Sequence, residues 1–399
     1  MKNDKRNIAS AVATRMWRGG GGLLLCAVLA GAAIAAAHAA EPGWIEHVVP
    51  AGESSRVLAL AANRERDAVA MLYAESDQGS TGEQLRLAAF DAGGKLFKSA
   101  DLGPLLAGEK IVMHSKAGLA VDGNGVAYVA VAARAGGVKF SVLDLRRSTA
   151  GLSKSLQVGS GSVEVTAMLV SKTGALMLAG AVDGKGFVAE VSKQGVLAWT
   201  RHYEQVVVVL DLAETDNGLV AVGGMPGRQF FDGLWLARLG PAGAVAEAQT
   251  RPGTSRFARL GGGLQRLGLV YEKLGADLET STVLMESFGA AAALQETRTA
   301  TLYQGRLSAP FGVAQVDERL IAAGVVARGR LQLLEVWPQA RTAPLFVSAA
   351  RAPEFVRYHS VDIVGAAGAT GATYLAALRS RADGRRQQLE LVFAKMPAR

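Results

Sequence analysis

The residues that could bind a metal ion or act in acid–base catalysis are few in this sequence, and they lie far apart. Beyond the first 40 residues the histidines are His47, His114, His202 and His359, and none has another histidine or a cysteine close by. Zinc sites usually take their ligands at short, regular spacings such as HExxH or CxxC. The spacing therefore indicates separate polar residues, and we assign no metal ligand.

Other motifs with known chemistry are incomplete. Asp122-Gly123-Asn124-Gly125 contains part of a calcium loop but lacks the later acidic ligand, so it predicts a hairpin turn. Gly159-Ser160-Gly161-Ser162 is not a nucleophile elbow, and Gly261-Gly262-Gly263 is not followed by the Gly-Lys-Ser of a phosphate loop. Paired carboxylates for glycoside cleavage need not be close in sequence, so an acid pair stays an open alternative. We assign no catalytic and no cofactor-binding residue.

Two groups of residues are better suited to binding a partner. Phe230-Phe231 lies in a polar stretch and predicts either an exposed contact patch or an aromatic pair folded back onto the core. Arginines flank Ala382-Asp383-Gly384 and predict either an anion site for envelope polysaccharide or lipid headgroups, or a solvated hairpin tip. With three of the histidines, the candidate binding residues are Phe230, Phe231, His114, His202, His359, Arg379, Arg381, Arg385 and Arg386.

The stretch Val206–Thr250 shows the element that must position these residues. It contains four short apolar runs, Val206–Asp211, Leu219–Gly223, Leu234–Leu239 and Ala244–Gln249. Thr215-Asp216-Asn217-Gly218 and Gly240-Pro241-Ala242-Gly243 are tight-turn signals, while Met225–Asp232 is a longer loop. The runs do not alternate between apolar and polar residues, which favours strands that are buried on both faces. The stretch predicts a four-stranded antiparallel meander.

The second strand of this meander recurs seven times along the chain. The copies are Ala68–Leu72, Ala127–Val131, Leu176–Gly180, Leu219–Gly223, Leu267–Tyr271, Leu320–Gly324 and Thr373–Ala377. Their spacing of roughly 50 residues predicts an all-β, seven-bladed β-propeller of four-stranded antiparallel blades. The last copy has a third strand, Gln388–Phe393, and little sequence for a fourth. We expect the N-terminal run Trp44–Val49 to supply that strand and close the ring.

The propeller prediction also places the candidate residues. In an up-and-down blade, the loop between the second and third strands emerges on the same face as the links between blades. The predicted middle loops include Met225–Asp232 and Arg379–Gln387, and His114, His202 and His359 fall near links. Loops on a rigid scaffold carry most binding residues, so we expect this face to bind the partner.

The sequence resembles a known group of repeats. Leu176–Gly180 followed by Gly186–Glu204 is similar to secreted bacterial propeller repeats of the "lvaG…wlvklD.dG.vlW.r.y" type, and so is Leu219–Gly224 followed by Asp232–Val245. Gly118–Ala130 is similar to a strand-turn-strand of the same group. That group includes binding scaffolds, adhesive proteins and some enzymes, so the resemblance implies the fold.

One copy also resembles the tryptophan-docking pattern of quinoprotein propellers, A-x-D-x-x-T-G-K-x-x-W. Ala189, Gly195 and Trp199 stand at its spacing. Val191, Gln194 and Val196 replace its Asp, Thr and Lys. We therefore assign no residue of this chain to the binding of pyrroloquinoline quinone, and we assign no cofactor.

The N-terminal residues predict export. Five basic residues precede the apolar centre Leu23–Ala37, and Ala37-His38-Ala39 is a signal-peptidase pattern with cleavage before Ala40. We interpret residues 1–39 as a signal peptide and 40–399 as a single propeller domain; an uncleaved membrane anchor is the alternative.

Removing residues 1–39 takes away five basic residues and one acid, so the net charge falls from +8 to +4. That charge gives little reason to expect a nucleic-acid partner.

Together these features predict an exported, non-catalytic binding or scaffold propeller in the periplasm or outside the cell. The expected partner is an unknown protein or an envelope glycan, and we expect a monomer without a transmembrane span in the mature chain. The alternative is a propeller enzyme, either a glycan hydrolase or lyase or a quinoprotein-like oxidoreductase. Acids or histidines that converge in the central channel would favour the enzyme.

Overall fold

The computed structural model describes most of the chain after residue 44. The described residues are 45–51, 55–63, 68–76, 83–106, 116–133, 137–147, 151–262, 266–289, 294, 298–316, 319–336, 342–347, 355–365, 373–383 and 386–396. Every structural statement below concerns these residues.

The described residues form strands, with three short 3-10 turns at Gly103–Leu106, Pro241–Gly243 and Ala327–Gly329. In chain order the strands are β1 Ile45–Ala51, β2 Arg56–Ala62, β3 Val69–Ser76, β4 Glu83–Phe90, β5 Leu96–Asp101, β6 Gly118–Val121, β7 Val126–Ala132, β8 Val138–Asp144, β9 Ser153–Leu156, β10 Val163–Val170, β11 Leu176–Val182, β12 Lys185–Val191, β13 Leu197–Tyr203, β14 Val208–Thr215, β15 Gly218–Gly224, β16 Phe231–Leu239, β17 Val245–Ser255, β18 Ala258–Gly262, β19 Arg266–Leu274, β20 Ser281–Gly289, β21 Arg298–Gly305, β22 Leu307–Val316, β23 Arg319–Val326, β24 Arg330–Val336, β25 Thr342–Val347, β26 Phe355–Gly365, β27 Thr373–Asp383 and β28 Arg386–Met396.

These strands form seven four-stranded antiparallel sheets, which confirms the predicted seven-bladed propeller. Blades 1 to 6 use consecutive strands, from β2–β5 to β22–β25. Blade 7 has the order β1-β28-β27-β26, so the N-terminal strand is its outermost strand. The register runs from Ile45 opposite Lys395 to Ala51 opposite Leu389. The predicted closure is confirmed for this strand, while Trp44 lies outside the described residues.

The apolar core is divided among the blade interfaces. The described residues form seven buried clusters, and each contains side chains from two neighbouring blades. The cluster between blades 1 and 2, for example, joins Leu72 and Leu87 to Leu119 and Val129. Because each sheet packs on both sides, its central strands are apolar at consecutive positions. This arrangement explains why the sequence lacks the alternation of a half-exposed strand.

The interface between blades 7 and 1 brings the two ends of the ring together. Phe90 stacks on Phe393 with ring centroids 3.6 Å apart and planes 5° from parallel. The Tyr374 hydroxyl donates to the carbonyl of Ala92 at 3.4 Å, and the Lys395 ammonium donates to the same oxygen. An aromatic pair adds about 0.5–1.5 kcal/mol beyond the area it buries. These contacts fasten the turn of blade 1 to blade 7.

The turn that begins at Asp122 is a hairpin turn, as predicted. The Asp122 carboxylate accepts the backbone N–H groups of Asn124 at 2.9 Å and Val126 at 3.1 Å. It also accepts the Tyr128 hydroxyl at 3.0 Å and the Lys193 ammonium of blade 3 at 2.7 Å. The side chain of Asp122 is buried, and these four donors satisfy it. The carboxylate therefore holds its own turn and ties blade 2 to blade 3.

None of the helical turns in the described residues has the length and apolar character that a membrane span requires.

We predict that deleting residues 41–51 opens the ring, because β28 then becomes an unpaired edge and Arg379 loses its contact with Glu46. Compared with the chain that starts at Ala40, this deletion should lower the free energy of unfolding by on the order of 4 kcal/mol. Chemical and thermal denaturation measure the difference. An unchanged melting temperature would contradict the role of β1 in closure.

Candidate functional site

The propeller has two faces that differ in their connections. We call one the loop face; it carries the turns between second and third strands and the links between blades. We call the other the tight-turn face; it carries the turns between first and second strands and between third and fourth strands. Strand β1 begins, and β28 ends, at the tight-turn face, because Ile45 pairs with Lys395. All the candidate binding residues that are described lie in the half of the blades nearer the loop face.

The two phenylalanines of blade 4 have different environments. Phe231 is the first residue of β16 and packs against the apolar cluster between blades 4 and 5. Its ring covers Gly224, where an added Cβ would lie 2.3 Å from Phe231 Cδ1. Phe230 is half-buried in the loop just before β16, and Arg228 nearby is exposed. Phe231 therefore folds back onto the core, while Phe230 is half-exposed between the exposed residues 226–229 and Asp232.

The arginine cluster is arranged differently from the prediction. Strand β27 continues to Asp383 and β28 starts at Arg386, so the predicted loop over residues 379–387 is wrong. Arg379 lies within β27, where its guanidinium contacts Glu390 at 2.7 Å and Glu46 at 3.1 Å, with 6% of its side chain exposed. Arg381 is half-buried on the same strand. Arg385 lies outside the described residues, as does the side chain of Arg386.

Two carboxylates keep the Arg379 charge inside the blade. Burial alone lowers the pKa of the Arg379 guanidinium, but the hydrogen bond with Glu390 and the charge of Glu46 outweigh it and hold that pKa above its ordinary value. Glu390 comes from β28 and Glu46 from β1, so the contact joins the three outer strands of blade 7. The role of Arg379 is therefore structural, and it offers no charge to a ligand at the surface.

The described histidines do not converge. His202 is exposed on β13, with its ring centroid 6.3 Å from that of Phe187. His359 occupies an irregular position of β26, and its Nε2 lies 3.0 Å from Ser380 Oγ. His114 lies outside the described residues. Within the described part of the chain, no group of three or more histidine, cysteine or acidic side chains could hold a metal ion.

A group of arginines on the loop face, between blades 6 and 7, was not singled out by the sequence. The turn between β23 and β24 carries Arg328 and Gly329 and leads into Arg330, the first residue of β24. An added Cβ at Gly329 would lie 2.2 Å from Arg357 Cγ on β26, so the turn packs directly on Arg357. Arg328 and Arg357 are exposed and Arg330 is half-buried. We call Arg328, Arg330 and Arg357 the arginine corner.

The arginine corner has two further physical features. Arg328 has a backbone φ of 66°, a conformation that costs a non-glycine residue on the order of 1–3 kcal/mol. Burial and then the charge of Arg357 lower the pKa of the His359 ring. In the sequence this corner is visible only as the basic turn Ala327-Arg328-Gly329-Arg330. Arg357 is distant in the sequence and comes close to the turn through the fold.

The centre of the ring contains two acids at equivalent positions. Asp211 pairs with Val222 in blade 4, and Asp362 pairs with Ala376 in blade 7. Each accepts the backbone N–H of the residue that follows it, at 2.9 and 3.1 Å. The sequence signal was an acid inside an apolar strand, as in Leu210-Asp211-Leu212 and Val361-Asp362-Ile363.

Cations from other blades accompany both acids. The Asp362 carboxylate accepts the Lys116 ammonium at 3.0 Å. Asp211 accepts the N–H of Leu260 at 3.0 Å, and Arg259 donates to the carbonyl of Leu210 at 3.2 Å. Burial raises the pKa of the Asp211 carboxyl; Arg259 and the two N–H donors oppose that rise, and the charge of Asp362 adds to it. Each of the two acids is thus held by its own set of mixed-charge contacts, Asp362 with Lys116 and Asp211 beside Arg259.

Comparisons with known proteins identify the fold. No protein-family model matches the chain, and no curated protein matches its sequence. A fungal alcohol oxidase of the AA5 family, solved in complex with copper, aligns with a TM-score of 0.53 and 11% identity over 89% of this chain and 76% of that chain. The β-propeller domain of the Trilobed protease from Pyrococcus furiosus aligns with a TM-score of 0.45 and 8% identity over 84% of this chain and 95% of that chain. At 11% identity, the similarity to the oxidase concerns the fold alone and carries nothing about activity.

We predict that Arg379→Leu destabilises the domain by about 3–5 kcal/mol, because it leaves Glu390 and Glu46 without their cation. Arg228→Ala is the matched control, since Arg228 is exposed and its loss should change stability by no more than about 0.5 kcal/mol. Urea unfolding of both variants measures the difference. Equal stability of the two variants would show that Arg379 has no structural role.

Proposed function

We propose that this protein is an exported, non-catalytic binding or scaffold propeller whose loop face takes an anionic partner. The observation that carries the proposal is the arginine corner, in which an exposed Arg328 with a positive φ stands on a turn packed against Arg357. Arginine presents several N–H donors in a plane that fits carboxylate and phosphate groups. An unknown protein with an acidic segment and an acidic envelope glycan both have this chemistry.

The backbone of Arg328 supports a functional role for this turn. Glycine adopts a φ of 66° without cost, and the next residue in the turn, Gly329, has a φ of 71°. With arginine at position 328, the folded protein is therefore less stable than it would be with glycine there. Strained residues of this kind concentrate at binding and catalytic sites.

A second contact area lies on the loop of blade 4. Phe230 is half-buried and Arg228 is exposed, so the loop offers an aromatic ring beside a positive charge. Aromatic residues and arginine are the side chains that most often dominate binding interfaces. A partner with acidic and apolar groups could use this loop together with the arginine corner.

One observation favours the alternative, a propeller enzyme such as a glycan hydrolase or lyase. Asp211 and Asp362 both lie on inner strands of the ring, and burial raises the pKa of Asp211. Proton donors in glycoside cleavage are carboxyls with raised pKa values. However, Asp362 is ion-paired with Lys116 and Asp211 accepts two backbone N–H groups, so both carboxylates already have structural partners. This arrangement supports a network that holds the blades together more directly than it supports catalysis.

We predict that Arg328→Gly combined with Phe230→Ala weakens partner binding by about tenfold or more, because it removes a charged donor and an aromatic contact. Arg328→Gly alone should keep or slightly raise the melting temperature, because glycine relieves the backbone strain. The measurement is capture from native envelope extract, with bound material identified by mass spectrometry and sugar analysis. The double variant and the unmodified chain are compared side by side.

The control variant is Thr173→Glu, an exposed residue of the turn between β10 and β11 on the tight-turn face, whose change should leave capture intact. Lys193 is unsuitable as a control because it is paired with the buried Asp122. A partner that is lost with Thr173→Glu and kept with the double variant would place binding on the other face. Turnover of a glycan that Asp211→Asn abolishes in a folded protein would instead establish the enzyme.

Export is part of the proposal, and it rests on the basic segment, the apolar centre and the cleavage pattern before Ala40. We predict that the chain made in a Gram-negative host is released by osmotic shock or into the medium and begins at or near Ala40. N-terminal sequencing of that fraction decides the question. Recovery of the full-length chain only after detergent extraction would indicate a retained membrane anchor.

A further inference from the structure

An unusual group of apolar side chains lies on the tight-turn face. Among the described residues, four of the six exposed large apolar side chains are within one residue of the start of an outer strand. They are Phe97 on β5, Leu152 just before β9, Val196 just before β13 and Val245 at the start of β17, with exposed fractions of 46, 41, 56 and 43%. These residues belong to blades 1, 2, 3 and 4, and we call them the apolar rim.

The geometry of a propeller places the members of the rim at one level. Blades are related by rotation about the ring axis, so residues at nearly equivalent positions of successive blades lie near one plane perpendicular to that axis. The outer strands start at the tight-turn face, so this plane is the outer edge of that face. Phe97, Val196 and Val245 lie beside the last residues of their third strands and can therefore touch one flat surface at the same time, while Leu152 lies opposite Val142, slightly further from that edge. Exposed apolar residues scattered singly over a surface would not share a common plane.

Basic side chains accompany the rim. Lys95 is exposed two positions before Phe97, and Arg146 and Arg147 are exposed on the turn before Leu152. Lys154 lies half-buried two positions after Leu152. The rim therefore combines apolar side chains with positive charge on one edge of the molecule.

The acids in these turns are engaged in holding the turns. The Asp91 carboxylate accepts the N–H groups of Gly93 and Lys95, both at 2.9 Å. The Asp144 carboxylate accepts the N–H of Arg146 at 2.9 Å and lies 3.4 Å from the Arg147 guanidinium. In blade 4, Glu247 lies 3.6 Å from Arg238. The basic residues therefore outnumber the acids along the rim, and the edge attracts negative charge.

We propose that the apolar rim docks the propeller peripherally on an anionic lipid bilayer. Apolar side chains that enter the headgroup region beside lysine and arginine are the usual means of peripheral membrane binding. Basic residues near an anionic surface add attraction that falls off within a Debye length. A bilayer is flat and anionic, which matches a level arc of apolar side chains with basic neighbours.

This orientation points the loop face away from the lipid. The arginine corner and Phe230 then face the surrounding medium, where a partner reaches them. Membrane docking is independent of the proposed partner binding, because the two use opposite faces of the ring.

The test is flotation of the chain that starts at Ala40, whose ring is complete within residues 45–396, with lipid vesicles. Vesicles of phosphatidylcholine with phosphatidylglycerol should carry the protein, vesicles of phosphatidylcholine alone should carry much less, and added salt should release it. Phe97→Ser with Val196→Ser should weaken binding to the anionic vesicles by about tenfold or more, since two apolar contacts are lost. Both side chains are exposed, so the melting temperature should stay unchanged.

Leu278→Ser is the matched control, because Leu278 is 41% exposed in the turn between β19 and β20 on the loop face. It should bind vesicles as well as the unmodified chain, and so should Arg328→Gly. Failure of the unmodified chain to float with anionic vesicles overturns the proposal, and so does an equal loss with Leu278→Ser. Self-association without lipid that Phe97→Ser with Val196→Ser abolishes would make the rim an interface between copies, and it too would overturn the lipid proposal.

Discussion

Every blade of this propeller is apolar on both faces, and the rest of the structure depends on covering those faces. Each of the seven buried clusters belongs to two blades, so a single blade has no core of its own. Six interfaces form between blades that follow each other in the chain. The seventh joins blade 7 to blade 1 through Phe393 and Phe90, and β1 completes blade 7. Opening that interface would expose two apolar faces at about 25 cal/mol for each Å² of apolar surface.

The same constraint explains how much of the fold the sequence predicts. Second strands lie inside the sheets with apolar neighbours on both sides, so runs such as Leu176–Gly180 and Leu219–Gly223 are apolar at every position and recur visibly. Outer strands such as β5 have one covered side, and their burial alternates along the strand. The repeat period and the fold could therefore be predicted from the second strands. The tight turns of Val206–Thr250 could be predicted from their glycine, proline and asparagine residues.

The site residues were harder to predict because their roles depend on partners far away in the sequence. Arg379 belongs to a polar run that suggested a loop, yet Glu390 and Glu46 keep its charge inside β27. Glu46 is 333 positions from Arg379, so no local pattern relates the two. Asp362 is likewise paired with Lys116, which lies 246 positions away in the sequence. A buried charge needs an opposite charge or a hydrogen-bond partner beside it. The fold, and not the neighbouring sequence, determines which residue takes that place.

The turns at Asp122 and at Arg328 use charge in opposite ways. On the tight-turn face, Asp122 satisfies four donors and joins two blades, so its turn residues serve the stability of the ring. On the loop face, Arg328 keeps a costly backbone conformation and an exposed charge, with no acidic partner among the contacts described, and the neighbouring Gly329 packs on Arg357. Stability would favour glycine at this position and an acid beside it. The proposed binding role would account for both departures, because a positive charge that the protein itself neutralises cannot attract an anionic partner.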